Sequence, residues 1–131
     1  MLSRVLMTTS AVFLIGSGAV LNFAPQEVAA QVGVSGGAMA TLVFQVLAGL
    51  LMGMGIVNWM SRGNVIGGIY GRAILLGNSL QFVVGAFGLA RAVGGDAPPV
   101  MLALVGAYLL FAVGFLYLMF FGNPVRAQGA C

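Results

Sequence analysis

Apolar residues in this chain continue through long stretches, with charged side chains only at the edges. Four such stretches stand out, at about residues 4–24, 37–60, 71–93 and 99–121. Crossing the ~30 Å hydrocarbon layer of a bilayer takes about 20 mostly apolar residues at 1.5 Å per residue. Each stretch therefore predicts a transmembrane helix. The first stops at Pro25 and the last ends in Gly-Asn-Pro. Between them lie the connector PQEVAAQVGVSG, the stretch NWMSRGNVIGGIYGR (residues 58–72) and the short turn GGDAP. The expected fold class is all-α: a single polytopic transmembrane domain over residues 1–131, its four spans forming a helical bundle.

The first stretch has a competing reading as a cleaved signal peptide, with Arg4 in the basic n-region and Val28-Ala29-Ala30 as a small-residue cleavage site. Its apolar length exceeds that of an ordinary h-region, so it is expected to remain as a span.

Polar and small residues inside the spans fall into stripes. Gln45, Gly49 and Gly53 repeat every fourth residue in the second span. In the third, Asn78, Gln81, Gly85 and Gly88 follow a three-four-three spacing; Ser3, Ser10 and Ser17 repeat at seven in the first, and the fourth carries Ala103, Ala107 and Gly114 with Tyr117. Helices in lipid associate through close packing of small residues and through interhelical hydrogen bonds, because leucine contacts gain little over lipid contacts. These stripes are therefore expected to be inward or helix-packing faces. Gly49, Gly53, Gly85 and Gly88 are the expected contacts, those of Gly49 and Gly53 within the bundle or between protomers, and Gln45, Asn78 and Gln81 are the expected buried polar groups.

Composition supports a membrane protein. The chain is 61% hydrophobic and 5% charged, against about 25% charged in soluble domains, and its mean hydropathy is +1.12. The net charge of +3 comes from Arg4, Arg62, Arg72, Arg91 and Arg126 against Glu27 and Asp96. Five scattered arginines make no basic patch for nucleic acid, and no nucleic-acid partner is expected. They do orient the bundle. Four spans bring both termini and the 58–72 stretch to one side, with Arg4, Arg62, Arg72 and Arg126. The other side holds Arg91, Glu27 and Asp96. The positive-inside rule makes the arginine-rich side cytoplasmic.

Within residues 58–72, Trp59 and Tyr70 are expected to anchor the helix ends at the membrane interface, and the glycines to let the chain turn back. Arg62 and Arg72 are candidates for a lipid head-group or anion site. Gly67 to Gly71 forms GxxxG but no phosphate loop, since no Gly-Lys-Ser/Thr follows.

Catalytic chemistry finds few of its usual residues. The chain has no histidine and no lysine; its two carboxylates lie in separate connectors, and its one cysteine, Cys131, is read as an inert terminal residue. Acid–base catalysis, histidine or cysteine metal sites, Schiff bases and serine nucleophiles with a base all lack their partners. No enzyme, metal or cofactor is expected, and no charge near the middle of a span points to proton coupling.

The segment NWMSRGNVIGGIYGRAILLGNSLQFVVGA resembles small bacterial four-span membrane proteins of unassigned function, DoxX-like in size and layout. The resemblance rests on Asn58, Trp59, Gly63, Gly67, Gly68, Tyr70, Arg72, Gly77 and Asn78 and runs over residues 58–86 of the 131. It implies the four-span fold and a bacterial inner membrane. Where many such proteins carry a histidine near the position of Gln81, this chain has none, so no ligand or cofactor role is implied.

Two functional classes follow. One is a non-enzymatic accessory or structural subunit packing against itself or other membrane subunits, with membrane lipids around it. The other is a small carrier or binder of a neutral or lipidic molecule, with Gln45, Asn78 and Gln81 lining a cavity in an oligomeric bundle.

Overall fold

The computed structural model describes residues 1–63 and 68–122. Gly67, Arg126 and Cys131, which entered the sequence reading, lie outside the described residues. Among the described residues the structure is all-helical: α1 Leu2–Phe23, α2 Pro25–Gln31, α3 Ala38–Ser61, α4 Gly68–Ala92 and α5 Pro99–Phe121. The four long helices are α1, α3, α4 and α5, each apolar and long enough to cross a membrane. Their ends fall within a few residues of the expected spans.

The connector after α1 holds the short helix α2. Pro25 explains both the stop and the restart. Its ring cannot continue α1, but at the first helical position its missing N–H costs nothing. Glu27 sits in the first turn of α2, where the helix dipole favours a negative charge. The chain leaves α2 through Gly33 at φ 72°, a left-handed conformation that glycine adopts without a Cβ penalty. The Val34 N–H returns to the Ala29 carbonyl at 2.9 Å and closes the turn. Hydroxyls within α1 find local acceptors. Thr8 donates to the Arg4 carbonyl and Thr9 to the Val5 carbonyl, each at 2.8 Å, which removes polar groups that lipid cannot satisfy.

The long helices pack as two close antiparallel hairpins, α1 with α3 and α4 with α5. Small residues bring α1 and α3 together. Gly18 lies against Met52 and the Ala48 carbonyl, and Gly55 lies against Ile15 and the Ala11 carbonyl. A Cβ on Gly18 would come within 2.8 Å of the Ala48 oxygen, and one on Gly55 within 3.1 Å of the Ala11 oxygen. In the second hairpin Gly85 makes room for the Tyr108 ring.

Larger side chains fill the space between hairpins. Phe82 of α4 is fully buried, with Tyr108, Phe111 and Phe115 of α5 at ring-centroid distances of 5.3, 4.9 and 5.7 Å. Phe13 of α1 joins this cluster, 5.8 Å from Tyr108 and 5.3 Å from Phe111. Two glycine notches receive flexible side chains from the opposite hairpin: Gly77 takes Met54, and Gly114 takes Leu6.

The inward faces differ from the expected stripes. On α3 the buried residues are Ala48, Leu51, Gly55 and Asn58. At 100° per residue this face is rotated by about 140° from Gln45, Gly49 and Gly53. All three are exposed, and open space surrounds the two glycines. On α4 the buried residues are Gly71, Leu75, Asn78, Ser79, Phe82 and Ala86, centred about 100° away from the expected stripe. Gly85 keeps a contact, with Tyr108, while Gly88 is exposed to open space. The expectations of burial for Gln45 and of close packing within the chain for Gly49, Gly53 and Gly88 are therefore corrected. Spacing alone did not distinguish them from Ala48 and Gly55. The heptad pair Ala48–Gly55 meets a matching pair, Ala11–Gly18, on α1, and that complementarity selects the face.

Candidate functional site

One buried polar cluster joins the two hairpins. Asn58 of α3 and Asn78 of α4 are both fully buried, as is Ser10 of α1. The two amides face each other and exchange hydrogen bonds. Asn58 Nδ2 donates to Asn78 Oδ1, and Asn78 Nδ2 donates to Asn58 Oδ1, each at 2.7 Å. The second hydrogen of Asn58 Nδ2 goes to Ser10 Oγ at 3.0 Å, and that of Asn78 Nδ2 goes to the Ile74 carbonyl at 2.9 Å. Ser10 in turn donates to the Met7 carbonyl at 3.1 Å. Every side-chain donor of the triad is thus satisfied within the chain. A buried amide pair with all its donors used holds helices in register and leaves no donor free for a solute.

In the sequence Asn58 stands out only through the resemblance carried by residues 58–86, with no structural role. Its position three residues before the end of α3 suited an interfacial residue as well as a buried one. The signal for burial was its seven-residue spacing from Leu51 together with an amide partner on the next helix, and neither decides without the fold.

Gln81 stands near this cluster in sequence but outside it. It is half-buried, and its Nε2 is buried without a hydrogen-bond partner among the described residues. Gln45 faces outward on α3. Gln45, Asn78 and Gln81 are therefore not brought together around one interior space.

The triad also marks depth. Because Ser10, Asn58 and Asn78 touch, residues outward from them on each helix reach the same end of the bundle. Arg4 lies six residues outward from Ser10, Arg62 four from Asn58 and Arg72 six from Asn78, which places the three about 6–9 Å beyond the triad at 1.5 Å per residue. Arg91, Glu27 and Asp96 belong to the opposite helix ends. The Arg62 guanidinium lies 3.6 Å from the Trp59 ring centroid and donates to the Trp59 carbonyl at 2.9 Å. Trp59 is 43% exposed and Tyr70 87% exposed. Neither ring is taken up by the core, and each is free to meet the interface.

Four long apolar helices in two hairpins, joined through a buried amide pair and an aromatic cluster, make this chain a four-helix membrane protein. Comparison with protein-family models, with curated proteins and with solved structures returned no match.

Proposed function

We propose that this chain is a non-enzymatic accessory or structural subunit that packs against other membrane subunits or further copies of itself. One contrast carries this reading. The Asn58–Asn78 amides inside the bundle satisfy one another, whereas Gln45 is exposed and Gly49, Gly53 and Gly88 face outward with none of the described residues upon them. Outward small residues permit close approach of a neighbouring helix, and an outward amide in the hydrocarbon gains most from a polar partner. The arginine-rich end is cytoplasmic in this proposal and the membrane is a bacterial inner membrane; the grouping of Arg4, Arg62 and Arg72 at one end supports that orientation.

The test is gentle solubilisation of the membranes in which the protein is made, followed by identification of what co-purifies. Recovery in a stable larger assembly supports the proposal. The carrier reading has one observation in its favour, the buried Gln81 Nε2 with no hydrogen-bond partner among the described residues. Recovery of the chain with a stoichiometric small molecule in the bundle, lost in Gln81→Leu, would replace the subunit reading with it.

A further inference from the structure

The register of the α1/α3 seam extends beyond its glycines to two arginines. Gly18 sits against Ala48 and Met52, and Gly55 against Ala11 and Ile15. Each step of seven along α1, from Gly18 to Ala11 to Arg4, is matched by a step of seven along α3, from Ala48 to Gly55 to Arg62. Arg62 keeps right-handed helical angles (φ −61°, ψ −25°), so the register continues to it. Gly55 lies against the turn from Ala11 to Ile15, and one heptad further the same register aligns Arg62 with the level of the turn from Arg4 to Thr8.

The same register brings the Arg4 and Arg62 positions to the mouth of the α1/α3 seam. The chain's only acidic side chains, Glu27 and Asp96, are at the opposite end. Like charges so placed repel, and an anion between them converts that repulsion into attraction. Arg62 is already held in place by the Trp59 ring and carbonyl, which lowers the entropy lost on binding. Its remaining N–H groups suit the two-oxygen edge of a phosphate. Below this level, α1 exposes Val5 and Val12 and α3 exposes Ile56, apolar surface on the two helices that flank the seam.

We propose that the Arg4–Arg62 mouth of the α1/α3 seam binds the phosphate head group of an anionic phospholipid, whose acyl chains run along these two helices. The site is asymmetric in the bilayer and belongs to the first hairpin; Arg72, on α4, lies outside it. This proposal does not depend on the subunit reading.

The full chain is reconstituted in nanodiscs of equal phosphatidylglycerol and phosphatidylcholine, and retained lipid is counted by native mass spectrometry. The wild type is expected to keep phosphatidylglycerol in preference to phosphatidylcholine. Arg4→Gln and Arg62→Gln should each lower that preference about fivefold, corresponding to about 1 kcal/mol per arginine near the surface. Arg91→Gln, at the opposite end, should leave it unchanged, and Arg4→Lys/Arg62→Lys should retain most of it. Unchanged preference in the double glutamine variant, an equal loss in Arg91→Gln, or a complete loss in the double lysine variant would each overturn the proposal.

Discussion

The Asn58–Asn78 pair makes a quantitative prediction about how the two hairpins are joined. Replacing Asn78 by leucine, which is close in size, removes both reciprocal hydrogen bonds and strands the Asn58 carbonyl and one of its N–H groups in a site with no access to water. Stranded buried polar groups cost about 1–3 kcal/mol each, although amide contacts between membrane helices have averaged nearer 0.6 kcal/mol, with a maximum near 1.7. Each single leucine variant is therefore expected to lose about 2 kcal/mol. The double variant strands no amide. Ser10 keeps its own bond to the Met7 carbonyl, and two leucines pack where two amides stood. Its cost should fall short of the sum of the singles by about 1–3 kcal/mol, the value of two interhelical hydrogen bonds. The measurement is reversible unfolding in mixed micelles by denaturing detergent, followed through the fluorescence of the single tryptophan, Trp59. Costs that add to within about 0.5 kcal/mol, the tolerance expected of independent sites, would refute the reciprocal pair.

Four further outcomes are expected. Alanine at Gly18 or Gly55 should destabilise by about 1–3 kcal/mol, because the new methyl meets backbone oxygen across the seam. The doubly substituted Gly49→Leu/Gly53→Leu protein should keep wild-type melting as a solubilised single chain; a melting loss equal to that of the Gly18 variant would mean that α3 is rotated differently. Phe82→Ala should cost about 3–5 kcal/mol by opening a cavity among Tyr108, Phe111 and Phe115, and a thermal midpoint within a degree of wild type would contradict its place in the core. For topology, single cysteines at Ser61 and Ala97 in a Cys131→Ser background should label from opposite sides of the membrane, and labelling from one side would reject the four-span arrangement.

The four spans were legible in the sequence because crossing a bilayer is a local requirement. Twenty or so apolar residues satisfy it wherever they occur, and the arginine distribution adds which ends lie together. Pro25, Pro99 and the GGDAP turn marked boundaries for equally local reasons, since proline restricts its own φ and its predecessor. The identity of the inward faces was not legible. In water an inward face is betrayed by apolar residues, but lipid is as apolar as the interior, so Leu50 facing out and Leu51 facing in carry the same hydropathy. Small-residue spacing offered two faces on α3, Gly49–Gly53 and Ala48–Gly55, and only the matching heptad of α1 chose between them. Asn58 was equally ambiguous, because its role is set by Asn78 on the next helix and Ser10 on the first. Spans follow from the free energy of single segments in lipid; faces and partners follow from complementarity between segments, which exists only once the hairpins have packed.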